Sequence, residues 1–329
     1  MKAIKFFAIS AMAAAMITSC SSEDELSQSN YPSDNIIRVT AGVNNAKTRA
    51  EGAGTEMKNN FSLTIVNKNA PKYTYTDKVF SKSSGDWACS ETLLWQKSDA
   101  LVDIVAFAPA QTGKFNGVYA NGSIQPIAYS VASDQSTEQS TSSANNDLLY
   151  YYAKDFNPGE SLDKGKLNIQ FNHAFCMIDI NVTLGTEFNK PSIPTTSPII
   201  KVTLGGTKIA ANVDVTNTAS VVTASGEATA TDITTTNGSF TTAANAETNA
   251  ISRFSCIAIP QTVGANTFKV SLMTAGKLYE WTSDKEITLQ SGYRYTLNLS
   301  MGNDVVLLKG GSISATPWTE VSGGSLETD

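Results

Sequence analysis

Few residues in this 329-residue chain could do chemistry, and their spacing narrows the choice further. The single histidine, His173, lies in phase with Leu167, Ile169, Phe171 and Phe175 on an alternating segment. That phase makes it a hydrogen-bonded core residue rather than a general base. No Ser-His-Asp order can be assembled around it, and there is no Gly-rich phosphate loop. Carboxylates such as Asp99 and Asp103 are scattered and do not define a glycosidase pair. The four cysteines, Cys20, Cys89, Cys176 and Cys256, lack metal-site spacing. We therefore expect no catalytic residue, no metal and no cofactor. Two reactive positions remain. One is the thiol of Cys20, which follows an apolar run; the other is the peptide bond between Arg49 and Ala50. That bond sits in "NNAKTRAEGAG", a soft stretch of Ala, Gly and Asn from Asn44 to Gly54 that reads as an exposed, cleavable loop. An ordinary surface loop with a solvated Arg is the alternative.

The composition says where such chemistry would take place. The net charge is −6, no Lys/Arg run interrupts it, and a nucleic-acid partner is therefore excluded from the reading. Charged residues are only 16% of the chain, and a surface of Thr, Ser, Ala and Asn suits an extracellular β protein. Lys2 and Lys5 precede the apolar stretch Phe6 to Ile17, too short for a permanent span, so residues 1–19 read as an export signal. Residues Ile17, Thr18, Ser19 and Cys20 resemble the bacterial lipobox, which implies a lipid on Cys20 and a membrane anchor. Residues 20–35 read as a polar tether. Within it, Glu23, Asp24 and Glu25 resemble a sorting signal for surface lipoproteins, with a solvated charge run as the alternative. Once Cys20 is set aside, three thiols remain, and an odd number cannot all pair. Buried free thiols are expected, with a Cys176–Cys256 pair as the alternative.

The elements that must position these residues are strands. In "IIRVTAGV" the side chains of Ile37, Val39, Ala41 and Val43 share one face, giving a half-buried strand directly before the Arg49 loop. "FSLTIVN", "KYTYTDKVF", "LVDIVAFAP", "IAYSVA" and "DLLYYYA" follow, punctuated at the short intervals of a sandwich. A Pro-Gly break near Pro158 to Lys166 suggests a domain boundary, dividing the chain into residues 36–162 and 163–329. Beyond it, Leu167 to Phe175 bury one phase and Ile178, Ile180, Val182 and Leu184 the other. A strand cannot switch faces without a bulge or break, and one is predicted near Phe175 to Met177. Thin strands are expected through the Thr-rich residues 202–250, and the clearest alternation runs through Tyr293, Tyr295, Leu297, Leu299 and Met301. The chain closes with an appendage, about residues 303–319, of two short apolar segments and Trp318. Such a tail can fold back onto its own domain or add to another sheet.

In this order, the lipobox, the tether, the alternating strand, "TRA" at 48–50, "FNHAFCMIDINV", and "GYRYTLNLS" with "ISATPWTE" resemble the fimbrillin family. That resemblance implies two transthyretin-like β-sandwich domains, export as a lipoprotein to the outer membrane and cell surface, and cleavage between Arg49 and Ala50. It implies removal of the strand holding Ile37, Val39, Ala41 and Val43. The vacancy would then be filled by another subunit's Val305, Val306, Leu307, Leu308, Ile313, Ala315 and Trp318. Partners would be further pilus subunits, joined head to tail, and a ligand on a host or bacterial surface. A second reading is a glycan-binding surface lipoprotein, for which Trp87, Trp95, Trp281 and Trp318 would supply stacking faces.

Overall fold

The computed structural model describes residues 30–44, 55–56, 59–83, 85–110, 118–137, 147–308 and 313–318. Among them the structure is almost all β, as expected of a sandwich. Eight strands build the first sheet: β1 (Arg38–Val43), β2 (Thr55–Glu56), β3 (Phe61–Val66), β4 (Tyr75–Ser83), β5 (Asp86–Cys89), β6 (Val102–Ala108), β7 (Leu149–Phe156) and β8 (Lys166–His173). Their order is β8-β7-β6-β3-β4-β5-β1-β2, and β1 also pairs with β8, so the sheet closes on itself. Its interior holds Ile37, Val39, Val43, Phe61, Leu63, Ile65, Ile104, Leu167, Ile169 and Phe171.

The continuous apolar run in β6 has a direct structural cause. Ile104 and Ala106 face this core, whereas Val105 and Phe107 face a second one, so neither side of the strand meets water. The second core lies between sheets of the C-terminal half. One sheet contains β9 (Cys176–Leu184), β10 (Thr236–Thr241), β11 (Ile251–Ala258), β12 (Tyr293–Met301), β13 (Val306–Leu308) and β14 (Ser314–Pro317). Opposite are the paired strands Ile199–Gly205, Lys269–Thr274 and Leu278–Thr282. The Thr-rich stretch, despite its composition, supplies ordered strands throughout.

The phase change predicted near Phe175 is a break. β8 ends at His173 with Leu167, Ile169 and Phe171 buried, and β9 begins at Cys176 with Cys176, Ile178, Ile180, Val182 and Leu184 buried. The chain switches faces there because it leaves one sheet and enters another. Hydrogen bonding therefore changes hands at Ala174–Phe175, later in the chain than the Pro-Gly break near Pro158 to Lys166. In the reverse sense, Ile127–Ser130 of the N-terminal half crosses over and pairs antiparallel with Ala210–Val213.

Candidate functional site

Strand β1 is held along both edges. On one side it runs parallel to β8, from Arg38 opposite Lys166 to Val43 opposite Phe171. Asn44 extends this ladder, donating its N–H to Phe171 O at 2.7 Å and its Nδ2 to Asn172 Oδ1 at 2.8 Å. The other edge is patchier. Ile37 N donates to Leu93 O and Trp95 N donates to Asn35 O, Val39 meets Trp87, and Gly42 and Val43 meet β2. Alternation explains the inward face: Ile37, Val39 and Val43 are buried and Ala41 is half-buried, with Arg38 and Thr40 outside. Arg38 instead pairs with Asp34, and its guanidinium holds the exposed Asp34 carboxyl down to about 2. Cys20, Arg49 and Ala50 lie outside the described residues.

The C-terminal tail is docked on its own subunit. β13 and β14 both run antiparallel to β12, along the same edge: Val306 to Leu308 meet Met301 to Leu299, and Ser314 to Pro317 meet Thr296 to Tyr293. Only part of the tail's apolar content is buried. Val306 faces the core, but Val305 and Leu307 are 49% and 58% exposed. Ile313 is half-buried, and Ala315 is exposed although it sits opposite the buried Tyr295. The firm contact comes at the end. Trp318 is 4% exposed, its backbone N–H donates to Gly292 O at 2.7 Å, and its ring lies on that of His173 with centroids 3.8 Å apart and planes 12° from parallel.

His173 is buried as its phase required, with Nδ1 2.9 Å from Asp147 Oδ2. Sequence reasoning did not find its partnership with Trp318, because nothing in either local pattern links two positions so far apart. The tryptophans also depart from the stacking faces considered for a glycan. Trp95 and Trp318 are buried, Trp87 is half-buried against Phe61, and Trp281 is half-buried edge-on to Phe268. Cys176 and Cys256 are buried and free, on diagonal positions of β9 and β11, and Cys89 is a half-buried free thiol. Burial pushes the thiols of Cys176 and Cys256 far above their ordinary range. Among the described residues no group of His, Cys, Asp and Glu could hold a metal ion, and no helix is long and apolar enough to cross a membrane.

The first described strand, paired along both edges, and the last, paired along one edge of its own sheet, are thus both placed. The family model described as fimbrillin-like matches residues 48–318. The chain belongs to the fimbrillin-like family. This is a family of fimbrial subunits, and membership implies a cell-surface location. A comparison with curated proteins finds no match. Among solved structures, the fimbrillin-like chain is similar to a proposed cell adhesion protein from Bacteroides ovatus, at 16% identity and a TM-score of 0.59, covering 87% of this chain and 98% of that one. It is also similar to a second proposed cell adhesion protein, from Bacteroides uniformis, at 14% identity and a TM-score of 0.54, covering 88% and 100%. A fimbrial protein from Bacteroides vulgatus follows at 15% identity and 0.53, covering 86% and 99%. These likenesses establish the fold.

Proposed function

We propose that this fimbrillin-like protein is a subunit of a cell-surface pilus, exported as a lipoprotein on Cys20 and cut between Arg49 and Ala50. Cutting detaches the segment that contains Ile37, Val39, Ala41 and Val43. The groove left between β8 and the Leu93–Trp95 and Trp87 edge is then filled by the tail of another subunit, residues Val305 to Trp318. The contact is head-to-tail, so it propagates a filament rather than closing a dimer. One observation carries the reading: β1 precedes every other described strand, so a single cut frees it without unthreading the fold. Its buried side chains make it a plug, and the vacancy would expose apolar core and unpaired backbone together.

The test is to treat the purified full-length chain with an Arg-specific protease and follow it by denaturing-resistant ladders on a gel and by electron microscopy. Ladders that need both the cut and an intact tail are expected. Complete cutting at Arg49 that leaves only monomer would sink the proposal.

A further inference from the structure

One strand touches both halves of this exchange. Lys166 to Phe171 of β8 carry β1, Asn172 receives the Asn44 side chain, and the next residue, His173, carries Trp318. The seat of the indole is built rather than incidental. Asp147 fixes the imidazole from one side at 2.9 Å, and Leu149 of β7 pairs with His173 through the backbone. Gly292, whose carbonyl accepts the backbone N–H of Trp318, itself donates to Phe175 O at 2.9 Å, so the backbone beside the seat spans the junction of the two sheets.

Apart from its ladder to β12 and the half-buried Ile313 before it, the strand that Trp318 terminates has no buried side chain of its own. All four residues of β14 are exposed, and its pairing is to β12 alone. A short edge strand that buries no side chain sits at the low end of local stability. Trp318 is therefore the one fully buried side chain at this end of the tail, beside the half-buried Ile313 and the ladder to β12.

We propose that Trp318 seated on His173 is a latch that keeps the tail at home while β1 is in place, and that removal of β1 opens it. This rests on the strand-exchange reading above and adds its regulation. The physical link is β8. With β1 present, its C-terminal end is hydrogen-bonded on one side by β1 and Asn44 and on the other by β7. Extraction of β1 leaves Lys166 to Asn172 with one unpaired edge, and local opening there becomes easier. His173 moves with the strand end. Dispersion contact falls steeply with separation, so a stack of this kind tolerates little displacement. The uncut precursor is thus closed twice, with its groove full and its tail latched, and one cut opens both.

Hydrogen exchange of the peptide covering residues 313–318, read by mass spectrometry, tests this in four samples. These are the intact chain, the monomer fraction of the chain cut at Arg49 with the β1 segment displaced and the tail not yet assembled, intact Trp318→Ala, and intact Trp318→Phe. Slow exchange is expected in the intact chain and in Trp318→Phe, which retains an aromatic ring. Exchange at least about tenfold faster is expected in the cut chain and in Trp318→Ala. Equal protection before and after loss of β1 overturns the coupling, and that arm needs no variant. Wild-type protection in Trp318→Ala overturns the anchor. The same samples, run for ladders, separate the two proposals. Ladders from a cut chain whose monomer fraction keeps the intact chain's tail protection refute the latch and leave strand exchange standing; a monomer with a loosened tail that forms no ladders does the reverse.

Discussion

Truncating Val39 to Ala should loosen the β1 plug by a calculable amount. Val39 is buried, opposite Leu167 on β8 and Trp87 on β5, at the point where the closed sheet is joined by a single residue pair on the β5 side. The substitution removes two buried carbons at about 0.8 kcal/mol each, about 1.6 kcal/mol together, and a cavity term carries the loss up to about 3 kcal/mol. In the intact chain this appears as lost global stability. After cutting at Arg49 it appears in the dissociation constant of the detached segment, as about 10- to 150-fold weaker retention. Thr40→Ala is the control, because Thr40 is exposed and its hydroxyl makes one long hydrogen bond of 3.3 Å to Asn168. That change should cost no more than about 0.5 kcal/mol. The assay is gel filtration of cut protein carrying a fluorophore on the N-terminal segment, over a dilution series. If Val39→Ala and Thr40→Ala release the segment at the same concentration, β1 is not held by its buried face and the reasoning fails.

Two further expectations follow from burial. Iodoacetamide at mildly alkaline pH should modify Cys89 in the native chain and leave Cys176 and Cys256 untouched until denaturation, because burial keeps both as neutral thiols; native-state labelling of either, found by peptide mapping, contradicts their placement. For Asp179, burial pushes the carboxyl above its usual value, although Arg294 Nε lies 3.2 Å away. A folded-state value above the unfolded one means that the ionised form opposes folding at neutral pH, and that this penalty disappears as pH falls through the folded-state value. Asp179→Asn should therefore raise the melting temperature at pH 7 and match the parent below about pH 3. A lower melting temperature at pH 7 would mean the Arg294 attraction outweighs desolvation.

Alternation made individual strands legible, and contact partners much less so. Tyr295, Leu297, Leu299 and Met301 are buried in phase, and the face switch between Phe171 and Ile178 is a real break. Period-2 patterning reports which face is buried but not which sheet covers it. For that reason "IAYSVA" could be read as a strand while its crossing to Ala210–Val213 could not. The parallel partnership of β1 with β8 was hidden likewise, since backbone hydrogen bonds carry no side-chain signature. The tail's pattern fits a home edge as well as a neighbour's groove, and it is the home edge that it occupies. The four Trp residues suggested a glycan site because aromatic faces stack on sugars; here Trp95 and Trp318 are buried, and Trp87 and Trp281 are half-buried against Phe61 and Phe268.

The balance of the proposed exchange explains why one aromatic contact could govern it. A tail entering the β1 groove gains the three sites now filled by Ile37, Val39 and Val43, worth about 4.5 to 9 kcal/mol at about 1.5 to 3 each. Leaving home, it gives up Val306 and Trp318, about 3 to 6 kcal/mol on the same scale. Backbone pairing changes little, because the ladders of β13 and β14 along β12 are exchanged for the ladder along β8 and the patchier edge at Leu93–Trp95, Trp87 and β2. The net gain is then a few kcal/mol, of the same size as the Trp318 contact alone. Under such near-balance the affinity of the groove does not decide which subunits assemble; whether the tail is free to leave does. A seat on β8, next to the ladder that loses β1, places that decision two residues beyond the last pair of that ladder.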